Sequence, residues 1–128
     1  ILWIDKAVKI LDENNKIANL VWNDKYHQAK DESFNQDDDF YYSYGFSDQM
    51  YLIKTEDFNK PIYSEKHTKS ERYPAYAGEL FEKRIDSWIR NNKFNRVTYK
   101  HDSYYHKNYH KSKLVTNFRI FIGNYNIK

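Results

Sequence analysis

The chain has 128 residues, three glycines, two prolines and no cysteine; 30% of its side chains are charged, 19% are aromatic, and its formal net charge is +3. Without cysteine, a disulfide framework, a thiolate metal site and a cysteine nucleophile are all excluded, and no apolar run approaches the ~20 residues needed to cross a bilayer. Thirteen Tyr, eight Phe and three Trp, each ring able to bury on the order of 150–250 Å², mark a folded chain and predict one domain over residues 1–128 around a single core.

Trp3, Ile4, Ala7, Val8, Ile10 and Leu11 recur at helical spacing, with Asp5, Lys6, Lys9, Asp12 and Glu13 opposite. They predict a short amphipathic helix ending at Asn14-Asn15. Residues 17–22 are a compact apolar run, suited to a strand or to more helix, and the acidic stretch 23–39 reads as a loop. In 40–46, Phe40, Tyr42, Tyr44 and Phe46 alternate as in a half-buried strand. Residues 50–54 are its expected hairpin partner across Ser47-Asp48, and Pro61-Ile62-Tyr63 reads as a short edge strand.

The clearest element is a helix over 74–91. Pro74 suits its first turn, Ala77, Leu80, Phe81, Ile85, Trp88 and Ile89 form one stripe, and Asn91-Asn92 close it. Glu79–Lys83 and Asp86–Arg90 add i,i+4 pairs. Residues 96–100 and 113–122 then read as two strands joined by a loop. The order predicts an α+β fold: an antiparallel sheet of four to five strands packed against the main helix, plus the short N-terminal helix. Trp3, Trp22 and Trp88 are assigned to the core.

Charge is sorted along the sequence. Residues 1–58 carry six lysines and twelve acids, and 59–128 carry fifteen Lys/Arg and six acids. This predicts separate acidic and basic surfaces, the basic one facing a polyanion. Residues 99–113 hold the functional candidates. Lys100, Lys107, Lys111 and Lys113 suit phosphates, and Tyr104, Tyr105 and Tyr109 suit stacking on unpaired bases at about 1–3 kcal/mol each. Arg96 and Arg119 on the flanking strands extend the strip. The competing reading is a solvated hairpin whose tyrosines pack sideways.

His101, His106 and His110, with Tyr105, also have the inventory for metal-free RNA cleavage, in which one group takes the 2′-hydroxyl proton and another protonates the leaving oxygen. Asp102, His106 and His110 have the spacing of a facial metal triad on a helix. The segment lacks a helical apolar pattern, so neither metal nor cofactor is expected. The acidic block Asp37-Asp38-Asp39 before Phe40-Tyr41-Tyr42 can dock a basic protein partner, or simply form a solvated turn; it lacks the glycine and distal Glu of a calcium loop. Arg72, ahead of the main helix, is placed to meet an anion, while His27 and His67 read as ordinary surface residues.

These features predict a small, cytoplasmic, non-enzymatic binding or regulatory protein. Its C-terminal hairpin would engage RNA, single-stranded DNA or a nucleoprotein complex, as an anti-defence protein of an AT-rich bacterium or phage does, with no membrane partner. The alternatives are a ribonuclease toxin domain, for which a chain starting at Ile1 fits excision from a longer polypeptide, and an immunity-type inhibitor acting through its acidic surface.

Overall fold

In the computed structural model, which describes residues 2–22, 29–73 and 81–104, the first helix α1 (Leu2–Ile10) ends ahead of Asn14-Asn15. The cause is local. The Asp12 carboxylate accepts the amides of Asn14 (2.9 Å) and Asn15 (3.1 Å), and such side-chain-to-backbone bonds offer the chain an alternative to helix. The chain then enters strand β1 (Asn15–Trp22), which settles the strand-or-helix ambiguity.

The remaining elements are α2 (Ala29–Glu32), β2 (Asn35–Gln36), β3 (Phe40–Ser43), β4 (Tyr51–Ile53), α3 (Thr55–Phe58), two 3₁₀ turns (Ile62–Ser64 and Thr68–Arg72), α4 (Phe81–Asn91) and β5 (Asn95–Tyr104). The fold is α+β as expected, with a five-stranded sheet in the order β2-β3-β5-β1-β4. The sheet is mixed rather than wholly antiparallel, because β1 and β5 pair in parallel.

The hairpin expected between 40–46 and 50–54 does not form. β3 pairs with β5, whereas β4 pairs with β1 on the far side. The two central strands explain the difference. Residues 17–20 of β1 and 96–99 of β5 are buried on both faces, the usual setting of parallel pairs, and the two strands separate the segments that alternation alone would join. Residues 61–63 are likewise not an edge strand: Ile62 opens a 3₁₀ turn and drops its side chain into the core under α4.

Helices cover both faces of the sheet. On one face Trp3, Ala7 and Leu11 pack with Ala18, Leu20, Phe40, Val97 and Tyr99. On the other, Ile85, Trp88 and Ile89 of α4 pack with Ile17, Phe46 and Ile62. Residues 74–80 of the expected helix and the expected strand over 113–122 lie outside the described residues. α4 ends in a Schellman motif. The Phe94 amide bonds the Ile89 carbonyl (2.9 Å), the Lys93 amide bonds the Arg90 carbonyl (3.2 Å), and Lys93 has φ 55°. The Phe94 ring then closes on Trp88 at 5.4 Å, the apolar contact that accompanies this cap. No helix among the described residues is long and apolar enough to cross a membrane.

Candidate functional site

The ladder between β1 and β5 breaks at the segment singled out by its charge. Leu20 pairs with Tyr99, but the next pair is Val21 with Ser103, so Lys100, His101 and Asp102 swing out of register with β1. They turn toward the β2–β3 hairpin, and the Lys100 amide donates to the Asp39 carbonyl at 2.9 Å. The acidic triplet is the turn of that hairpin. Asp37 holds it: one carboxylate oxygen accepts the amides of Asp39 (2.9 Å) and Phe40 (2.7 Å), and the other accepts the Tyr42 hydroxyl (2.6 Å). Burial opposes ionisation of Asp37. The Tyr42, Phe40 and Asp39 hydrogen bonds and the Lys100 charge outweigh it and hold the carboxyl below its ordinary value. Burial and the same bond push the Tyr42 phenol up to about 12.

Lys100 Nζ donates to Gln36 Oε1 (2.9 Å) and to the Asp37 carbonyl, and lies 4.7 Å from the Tyr41 ring centroid. His101 Nε2 sits 2.9 Å from the Asp38 carbonyl oxygen and 3.4 Å from the Asp39 carboxylate. Asp39 in turn meets Lys6 of α1 at 2.6 Å, and this hydrogen bond raises the Lys6 pKa. An open groove of about 450 Å³ runs between Lys6, Lys9 and Ile10 of α1 and the turn 37–39. Among the described residues the two signs of charge therefore meet rather than separate into two surfaces. Strand pairing, set by apolar pattern, lays the acidic turn against the basic end of β5, and opposite charges settle together.

Arg96 does not join a surface strip. It is 9% exposed, its Nε donates to Ser43 Oγ (3.0 Å) and its Nη2 lies 3.3 Å from Glu32. Tyr104 is half-buried on the α1-side core and bonds Gln49 Oε1 at 3.1 Å; burial raises its pKa. Its ring packs against that core. Tyr105, His106, Lys107, Tyr109, His110, Lys111, Lys113 and Arg119 lie outside the described residues, as does His27. His67 is more than a surface residue: its Nδ1 accepts the Lys69 amide (3.1 Å) and caps a 3₁₀ turn.

A second polar cluster surrounds Gly45. This glycine has φ +100°, and a Cβ there would lie 2.8 Å from Arg72 Nη2 and 3.2 Å from Arg96 Nη1. The Tyr73 hydroxyl donates to the Phe46 carbonyl (2.9 Å), accepts the Phe46 amide (2.9 Å) and accepts Arg72 Nη2 (3.2 Å). Burial, followed by the charge of Asp86, pushes its phenol up to about 12 against the opposing pull of Arg72 and Arg96. Asp86, fully buried, binds Arg90 Nε at 2.9 Å, and the Arg90 guanidinium lies 5.0 Å over the Tyr44 ring. The expected Asp86–Arg90 pair is thus present. Gly45, Tyr73 and Glu32 went unnoticed as site residues. The usable signal was an isolated glycine inside an alternating aromatic run, which marks a close approach to backbone.

The chain matches no protein-family model, no curated protein and no solved structure.

Proposed function

We propose that this is a non-enzymatic, cytoplasmic polyanion-binding protein whose C-terminal segment engages RNA or single-stranded DNA, free or within a nucleoprotein complex. The observation that carries this reading is the uneven distribution of acids along the sequence. In the 37–39 turn the Asp39 carboxylate meets Lys6 and His101, and Lys100 donates to the Asp37 backbone carbonyl. Residues 105–128, by contrast, contain five Lys/Arg and no acid, interleaved with tyrosine and histidine. Cations that lack sequence-local acids and alternate with rings suit phosphates and unpaired bases. An inhibitor acting through the acidic face has less support, since Asp37 and Asp39 are already committed within the chain.

One geometry favours a second reading, a metal-independent ribonuclease. His101 is oriented by the Asp38 carbonyl and the Asp39 carboxylate, as a general base is held by a third group. Labelled RNA and DNA incubated with the protein, and scored for gel shift and for cleavage, test both readings. Binding without cleavage upholds the first and cleavage the second; neither outcome at low salt refutes both.

A further inference from the structure

We propose that Arg72 and Arg96, brought together at Gly45, form a binding site for an oxyanion of the phosphate class. This site does not depend on the C-terminal reading, because every residue in it belongs to the body of the fold.

Three observations converge. The guanidinium of Arg72 and that of Arg96 approach the same point, 2.8 Å and 3.2 Å from where a Gly45 side chain would begin. Two like charges so close repel, and an anion between or across them removes the repulsion while accepting several N–H donors at once. Guanidinium forks match phosphate geometry, which makes paired arginines the usual phosphate-recognition device.

The local charges are also loosely paired. Among the described residues, Arg72, Arg90 and Arg96 gather around Tyr44-Gly45, while Asp86 is spent on Arg90. Among the described residues the carboxylate paired with Arg96 is that of Glu32, 46% exposed and 3.3 Å away. Glu82, whose charge also reaches Arg72, accepts the Asp48 amide at 3.0 Å. Burying a guanidinium ordinarily demands a well-made ion pair, and Arg96 has a long one with a solvent-facing partner.

Finally, the pair is pre-set. Tyr73 pins Arg72 by its hydroxyl and by its ring, 4.7 Å from the guanidinium, and Ser43 pins Arg96. Arg72 is exposed, so a ligand has access from solvent. A glycine at position 45 lets both side chains reach the backbone there.

The probe is inorganic phosphate, titrated at matched ionic strength against chloride and followed through the Gly45 amide resonance. Wild-type protein should show a saturable shift. Arg72→Gln should weaken it about tenfold or more, the loss expected for a charged hydrogen bond. Arg72→Lys, which keeps the charge without the fork, should fall between, and Lys69→Gln, an exposed neighbour, should leave binding unchanged. A dinucleotide with one internal phosphodiester, titrated in parallel, separates a nucleic-acid backbone from free phosphate as the source. The proposal is overturned if neither probe saturates at Gly45, or if Lys69→Gln weakens binding as much as Arg72→Gln.

Discussion

The Asp39 carboxylate lies 2.6 Å from the Lys6 ammonium, joining helix α1 to a turn thirty-three residues further along the chain. The same carboxylate faces His101, so one acid ties together the N-terminal helix, the β2–β3 hairpin and the end of β5.

A double-mutant cycle on Lys6→Ala and Asp39→Ala tests that tie. The two changes should couple favourably at low salt, and the coupling should shrink as ionic strength rises, because both side chains are 35% exposed and open to screening. Coupling that is absent or independent of salt would mean that the contact does not hold the turn.

Trp88→Ala should cost about 3–5 kcal/mol in denaturant unfolding, the range for truncating a large buried ring. Trp88 is 5% exposed, packs in the α4-side core and receives Phe94 at the helix cap. A loss well below that range would place the ring outside the cooperative core.

The helix under Trp88 was legible because its stripe repeats every three to four residues and needs no knowledge of its partner. The β3 alternation was legible only in part: the strand ends at Ser43, and Phe40 and Tyr42 pack on the α1 side while Tyr44 and Phe46, across Gly45, pack on the α4 side. Its neighbour was not legible. Alternation tells which side of a strand is covered, never which strand lies alongside, and the parallel β1–β5 pairing joins Asn15 to Asn95 across most of the chain. The surroundings of 96–104 were hidden for the same reason: the acidic turn that meets Lys100 and His101 arrives through the β3–β5 ladder. Arg96 looked like a surface cation because its partners, Ser43 and Glu32, are distant in sequence.

Gly45→Ala should destabilise by about 1–3 kcal/mol, the cost of forcing an L side chain into a left-handed backbone. It should also bring the new methyl against Arg72. The cost should be smaller in an Arg72→Ala background, where the collision with Arg72 is gone and backbone strain and the Arg96 contact are left. Equal costs in both backgrounds, measured by urea unfolding, would show that Arg72 does not press on this site.

Asp37→Asn keeps an acceptor for the turn amides but removes the charge. The folded-state pKa of Asp37 is depressed, so its ionised form contributes stability that is complete above the ordinary aspartate value of about 3.9. That contribution is lost as pH falls through the lower folded value. The gap between wild type and Asp37→Asn should therefore be widest near neutrality and close in stronger acid. A gap that widens on acidification would reverse the sign of the argument.

The decisive measurements concern residues 105–128. If this segment contacts phosphates, Lys107, Lys111 and Lys113 changed together to Glu should abolish the gel shift. Reverting them singly should restore the salt dependence by roughly 0.7 in log–log slope per contact to a single strand. Tyr105→Ala with Tyr109→Ala should weaken single-stranded binding more than duplex binding, because only unpaired bases stack on rings. Tyr104→Ala should matter less to binding, since its hydroxyl and ring are occupied by Gln49 and the core. His101, His106 and His110 separate binder from nuclease. If the protein cleaves RNA, replacing the acting histidine with Ala should remove cleavage and leave binding nearly intact, as expected for a group that acts in the transition state. Asp39→Asn should also slow cleavage if His101 is the base, because that carboxylate orients it. If binding occurs without cleavage, all three histidine variants should still bind. Wild-type protein that neither shifts nor cleaves nucleic acid at ~50 mM salt, where phosphate contacts are strongest, would remove both readings and leave the Arg72–Arg96 anion site to stand on its own test.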